Sequence, residues 1–203
     1  MNNIEELLAI RAKLKENLKP ERYEHTLGVA FTSAALAMRY GVDIRKAELA
    51  GLLHDCAKNY KTEELISMCK AAGIELTENE LQAPQVLHAI YAPVLAREAY
   101  GIEDEEVLSA LRWHTTGHAN MTLLEKIVYI ADYIEPRREK ADNLAQVRGM
   151  AFLDIDATLY RITVDTIEFL KKRGVWIDRF TVECFEWLEK EGINDQRDFR
   201  SNL

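Results

Sequence analysis

From Ile4 to Leu18 the chain sets apolar residues (Ile4, Leu7, Leu8, Leu14, Leu18) at helical intervals between charged ones, which predicts an amphipathic helix. Pro20 opens a second helix, since proline fits a first helical turn, and Gly41 stops it after Tyr40. Its expected apolar stripe is Leu27, Ala30, Phe31, Ala34, Ala35 and Met38. Asp43 reads as the N-cap of a helix from Ile44 to about Asp55, apolar on nearly every side and therefore expected in the core. Thr62, followed by two glutamates, is the expected cap of a helix ending at Gly73, and Thr77 begins a short one.

Gln85 to Tyr100 predicts a helix stopped by Gly101, with Pro93 as a candidate kink. Asp104 caps a segment running through Trp113. Thr122 with Glu125 forms a capping box for Leu123 to Ile134, which Pro136 ends. Asp154 or Asp156 opens a long helix to Lys172, and a last helix covers roughly Arg179 to Glu191. The stretch from Arg137 to Gly149 is charged and without clear periodicity, and reads as a loop near the site. Strand alternation, internal repeats and low-complexity linkers are not evident. The pattern predicts an all-α chain forming a single domain over 1–203, with its core over about 20–135 and C-terminal helices over about 154–191 packed on it.

Composition narrows the picture. The chain has 203 residues, 48% hydrophobic and 30% charged, enough for a core without disulfides. A formal net charge of −8 removes the basic footprint of a nucleic-acid binder, though an acidic protein still binds a small polyphosphate where a few cations or a metal converge. The three cysteines, Cys56, Cys69 and Cys184, are widely spaced and suit a reducing compartment. With no signal pattern and no apolar run of bilayer length, the expectation is a cytoplasmic protein without a membrane partner. A homodimer is the expectation for exposed apolar helix faces.

The chemistry lies in five histidines, four of them beside buried-looking helices: His25, His54, His88 and His114. Asp55 follows His54 directly, and Asp132 interrupts the apolar run from Ile127 to Ile134. Ionised carboxylates on core-facing stripes cost several kcal/mol unless paired. With no obvious arginine between them, the expected partner is a metal cation. Imidazole plus carboxylate suits iron, manganese or zinc better than calcium, and no thiol points to a structural zinc site. Taken singly, His25 and Asp132 read as ordinary helix residues, and His118 as an exposed histidine; the ordered set is what carries the signal. Tyr133 reads as a core aromatic, with stacking on a base as the alternative, and Trp113, Trp176 and Trp187 read as core residues or walls of the site.

A helix histidine, then Leu-Leu-His-Asp-Cys-Ala-Lys (Leu52 to Lys58), His88, Arg-Trp-His-Thr-Thr-Gly (Arg112 to Gly117) and Ala-Asp-Tyr-Ile-Glu-Pro (Ala131 to Pro136) resembles the HD superfamily of metal phosphohydrolases. Those segments in that order resemble in particular the bacterial YqeK family, over a span from about Tyr23 into the C-terminal helices. The resemblance implies an HD-domain helical bundle that splits symmetrical dinucleoside polyphosphates, diadenosine tetraphosphate into two ADP, with a GDP product as the guanine counterpart. It implies iron, one ion or two, with manganese or another divalent metal as substitutes. His25, His54, Asp55 and Asp132 match the family's metal ligands. His88 and His114 match positions that face the phosphates or hold a second metal, and Asp55 with these two takes the catalytic roles. Arg22, Lys58 and Arg138 match cationic positions near the nucleotide, and Gly174 to Phe180 is expected to close over the nucleotide. Thr115 and Thr116 with Gly117 read either as hydroxyls and an amide offered to phosphate or as a plain helix stop. The chain departs from the family pattern after Arg138, with Glu139-Lys140-Ala141-Asp142 in place of a Phe-Pro-Gly-like turn. The alternatives are an HD-type nucleotidase or phosphodiesterase acting on another nucleotide, and a non-catalytic helical interaction module. The latter is expected to lack ligand positions, and all six are filled here.

Overall fold

The computed structural model describes residues 3–139 and 141–195, which form helices and no strand. α1 (Asn3–Asn17) leads through a two-residue link into α2 (Pro20–Tyr40), then α3 (Ile44–Leu53), α4 (Thr62–Ala71) and α5 (Glu78–Gln82). A 3-10 turn at Pro84–Val86 precedes α6 (Leu87–Tyr100), α7 (Glu105–Trp113) and α8 (Leu123–Ile134). The last helices among the described residues are α9 (Leu144–Ala151), α10 (Ile155–Arg173) and α11 (Arg179–Lys190). Lys140, and with it part of the departure after Arg138, lies outside the described residues.

Local chemistry sets most boundaries. Asp43, Asp104 and Asp154 each accept two backbone amides at the start of α3, α7 and α10, which decides for Asp154 over Asp156. Thr122 and Glu125 exchange the two bonds of a capping box at α8, and Thr77 and Glu80 do so at α5. At α4 the cap position is Lys61 rather than Thr62: the Glu64 carboxylate accepts from the Lys61 amide at 2.7 Å, which puts Thr62 inside the first turn. Glycines with positive φ end α2, α6 and α10.

α2, α3, α7 and α8 pack on one another, with α6 against α7 and α10 against α8. Leu36, Leu52, Leu53, Leu111, Ile127, Ile130 and Leu159 are fully buried between them. The stripe expected on α2 is displaced. Phe31 and Met38 are 56% and 64% exposed, while Val29, Ala30, Ser33, Leu36 and Ala37 are buried. The cause is the close approach of α3: a Cβ on Gly51 would sit 2.9 Å from Ala30 Cα and 3.0 Å from the Val29 carbonyl oxygen. Only small residues fit there, so the small-residue face turns inward. Ile44 is also exposed, so α3 buries Ala47, Ala50, Leu52 and Leu53 rather than all its sides.

The segment expected as a loop holds α9. Its N-cap Asn143 makes no side-chain cap bond; Arg148 instead ties it to the preceding turn by donating to the carbonyls of Ile134, Glu135 and Arg138 at 2.8–2.9 Å. Trp176 is exposed rather than core, while Trp113, Trp187 and Tyr133 are half-buried. No helix among the described residues is long and apolar enough to cross a membrane.

Candidate metal centre

Three helices and the ends of two others converge on one point. His25 comes from the first turns of α2, His88 from the start of α6 and Asp132 from the last turn of α8. His54 and His114 are the residues that close α3 and α7, where backbone carbonyls lack intrahelical donors. Each uses one: His54 Nδ1 donates to the Gly51 carbonyl at 2.7 Å and His114 Nδ1 to the Leu111 carbonyl at 2.8 Å. His25 Nδ1 lies 3.1 Å from Glu135 Oε1. In all three rings Nδ1 therefore carries a proton, and in the neutral ring Nε2 presents a lone pair.

Those lone pairs point at Asp55, which is 2% exposed. Its Oδ2 is 3.4 Å from His54 Nε2 and 3.9 Å from His25 Nε2. Its Oδ1 is 3.2 Å from His88 Nε2 and 3.7 Å from His114 Nε2. Asp132 Oδ1 is 3.0 Å from His25 Nε2 and 3.8 Å from His54 Nε2. His25 Nε2 and His54 Nε2 are buried without a hydrogen-bond partner, even though carboxylate oxygens lie so near. Lone pairs facing carboxylate oxygens repel unless a cation lies between them. The donor set fits a divalent metal on these grounds, and three groupings can hold one: His25, His54 and Asp55; His54, His114 and Asp132; Asp55, His88 and His114.

The electrostatics agree. Burial works against charge on Asp55, but His54 and Lys58 more than reverse this and hold its pKa well below the carboxylate range. Burial likewise opposes charge on Asp132, and the His25 contact and the Arg138 charge overcome it. Burial, then the Lys58 ammonium, pulls His88 down to about 4, and burial lowers His114. Ionised carboxylates beside neutral His88 and His114 are the protonation states that metal ligands require. Burial also opposes charge on His54, but the neighbouring Asp55 and Asp132 carboxylates outweigh it and raise its pKa, the pull that a metal cation between them would offset.

The arginines correct one expectation. Arg22 Nη1 donates to Asp55 Oδ2 at 2.7 Å, and Arg138 Nη2 to Asp132 Oδ1 at 2.6 Å, so both carboxylates have a guanidinium partner. Both arginines approach from the partly exposed rim. Lys58 joins them there, its Nζ 3.8 Å from Asp55 Oδ1 and 3.0 Å from His88 Nε2. Thr115 Oγ1 is 3.3 Å from His88 Nε2, whereas the Thr116 hydroxyl donates to the Gly117 carbonyl and is not at the cluster. His118 faces away and pairs with the buried Glu125 at 3.1 Å.

A cavity of about 600 Å³ opens from the cluster. His114, Thr115, Asp132 and Arg138 line its inner end; Tyr133, Asn143, Arg161, Asp165, Thr166 and Phe169 line the rest. The segment Gly174 to Phe180 contributes nothing to it: the Trp176 carbonyl accepts from Gln85 Nε2 at 3.2 Å, and the Phe180 ring packs on Trp113. The cavity residues of α9 and α10 were not legible as site residues, because a polar helix face reads the same whether it lines a cavity or meets solvent. Glu135 was missed as well; its signal is an acidic residue directly after the apolar Ile134 and before a proline, buried to 1%.

The HD domain family model matches residues 22–137, the span that holds all of these converging histidines and aspartates. The chain belongs to the HD domain family. Within it, the chain is similar to the symmetrical bis(5'-nucleosyl)-tetraphosphatase of Halalkalibacterium halodurans, at 41% identity over 79% of this chain and 85% of that one. It is 38% identical to the enzyme of the same name from Bacillus subtilis, over 92% of this chain and 97% of that one. Among solved structures it resembles a predicted HD superfamily hydrolase involved in NAD metabolism from Clostridium acetobutylicum, with a TM-score of 0.88 and 40% identity over 90% of this chain and 96% of that one.

Proposed function

We propose that this protein is a symmetrical bis(5'-nucleosyl)-tetraphosphatase, a metal-dependent hydrolase that splits diadenosine tetraphosphate and related dinucleoside polyphosphates into nucleoside diphosphates. The observation that carries this reading is the two-sided use of Asp55: one oxygen faces His25 and His54, and the other faces His88 and His114. A carboxylate shared between two imidazole pairs suits a one- or two-ion centre acting on phosphate. On this reading His25, His54, Asp55 and Asp132 hold the first ion, and Asp55, His88 and His114 hold a second or face the phosphates. Iron is the proposed metal, with manganese able to replace it. A bound divalent metal would supply Lewis acidity, making water more acidic and, by polarising a phosphoryl oxygen, its phosphorus more electrophilic.

The chain's own residues do the rest. Arg22, Lys58 and Arg138, on the rim, neutralise the polyphosphate, and Arg138 can grip two phosphate oxygens. Neutral His88 and His114 keep a lone pair able to take a proton from the attacking water. The water oxygen joins one inner phosphorus, the bridging P–O bond breaks, and the second ADP leaves with the bridge oxygen. Thr115 donates toward the phosphates at the inner end of the cavity. The cavity suits one nucleoside, with Tyr133 and Phe169 on its walls. The protein is proposed to act in the cytoplasm on a small nucleotide, as a homodimer, without nucleic acid or membrane.

Incubation with diadenosine tetraphosphate, AMP and a cyclic nucleotide, with product identification, tests this. ADP as the sole product from the first, and no turnover of the others, is expected. Turnover of AMP or the cyclic nucleotide alone makes the protein a different HD hydrolase, and no turnover of any by metal-loaded protein makes it a binding module.

A further inference from the structure

Glu135 is a buried carboxylate with no role in the reaction described above. It caps α8 in an extended conformation (φ −50°, ψ 151°), the backbone favoured before proline, and Pro136 follows. Its side chain folds back beneath α2. There Oε1 lies 3.1 Å from His25 Nδ1, and Oε2 accepts from the Arg137 amide at 2.8 Å. Three features hold it in place. Arg148 grips its carbonyl and those of Ile134 and Arg138, fixing the turn. Arg137 continues onto the Glu24 carboxylate at 2.9 Å. On α2, the position facing the carboxylate is Gly28, in a helix interior where glycine is unfavourable. A Cβ there would lie 2.3 Å from Glu135 Oε2 and 3.2 Å from its Cδ, so the helix omits a side chain where the carboxylate lies.

We propose, on the reading that His25 is a metal ligand, that Glu135 is a positioning residue for it: the carboxylate holds the His25 proton on Nδ1, keeps Nε2 free for the metal and fixes the ring plane. The two carboxylate oxygens both accept, one from the ring and one from a backbone amide. An amide in their place satisfies only one of these. The Arg137 N–H cannot reverse, so a glutamine turns its oxygen to Arg137 and its NH2 to His25 Nδ1. The ring then carries its proton on Nε2, where the metal would bind. Loss of such an outer partner weakens metal affinity by about 10–100-fold.

The test compares the full-length parent, Glu135→Gln and His25→Ala for Mn2+ affinity, and reads the His25 tautomer in the metal-free parent and Glu135→Gln by 15N NMR. Glu135→Gln is expected to bind Mn2+ about 10–100-fold more weakly and to move the His25 proton from Nδ1 to Nε2. A side chain that merely stabilises the turn would change neither. Affinity within twofold of the parent, or an unmoved proton, overturns the proposal. His25→Ala separates the premise: if it binds Mn2+ as the parent does, the ligand assignment itself fails and the positioning role falls with it. Should Glu135→Gln not fold, Gly28→Ala decides by displacing the same carboxylate: weakened Mn2+ binding upholds the role and parent-like binding overturns it.

Discussion

Replacing Asp55 by asparagine separates the metal from the fold. The side chain keeps its shape, so no cavity forms. The pair lost is with Arg22, whose side chain is 33% exposed and stays hydrated, while the burial cost of the Asp55 charge disappears with it. Removing a buried charge and breaking its pair act in opposite directions, and the metal-free variant should lie within about 1 kcal/mol of the parent. The metal-dependent part behaves differently. Mn2+ at about 100 times its dissociation constant stabilises a binding protein by about 2.7 kcal/mol, and Tm for a chain of this length rises by about 5–10 °C. Asp55→Asn takes an anionic donor from both imidazole pairs, so this rise should vanish. Loss of about 4 kcal/mol of Lewis-acid stabilisation lowers kcat/KM on diadenosine tetraphosphate about a thousandfold. Thermal unfolding with and without Mn2+, followed by ADP release, reads both. An asparagine variant that keeps the Mn2+-dependent rise and the parent's turnover refutes the placement of a metal at Asp55.

Lys58→Ala removes a rim cation that is not needed to hold metal; KM should rise about 10–100-fold, the equivalent of one charge-assisted hydrogen bond, with kcat and metal content close to the parent in steady-state and elemental assays. Burial pushes Glu125 up, but the bonds from His118 and Ser109 outweigh it and hold its pKa at about 2. A depressed folded pKa contributes stability above the unfolded value near 4.5 and loses it as pH falls toward 2. Urea unfolding of the parent and Glu125→Gln should therefore differ by about 1–2 kcal/mol at pH 6, after allowance for solvent screening, and converge near pH 2. Gly117→Ala forces a side chain at φ 64° with Cys184 Sγ 3.0 Å away; unfolding experiments should show a loss of about 1–2 kcal/mol or more.

What the chain made legible was local. Asp43, Asp104, Thr122 and Asp154 mark helix starts because a cap bonds to amides two or three residues on, within reach of any reading of neighbours. α9 escaped because its anchor, Arg148, bonds 10–14 residues back, and its cap position contributes no side-chain bond. The buried side of α2 escaped for a similar reason, since two faces carry apolar residues and only the approach of Gly51 chooses between them. The arginines sharpen the chemical argument rather than remove it. A carboxylate in the interior needs a cation, and Arg22 and Arg138 each supply one to a single oxygen, from the rim. Had that been the whole requirement, the imidazoles would be free to turn their N–H groups toward the carboxylates. Instead Gly51, Leu111 and Glu135 hold the Nδ1 protons of His54, His114 and His25 outward. The Nε2 lone pairs are thereby committed to face Asp55 and Asp132, an arrangement that loses energy at every contact until a positive ion lies among them.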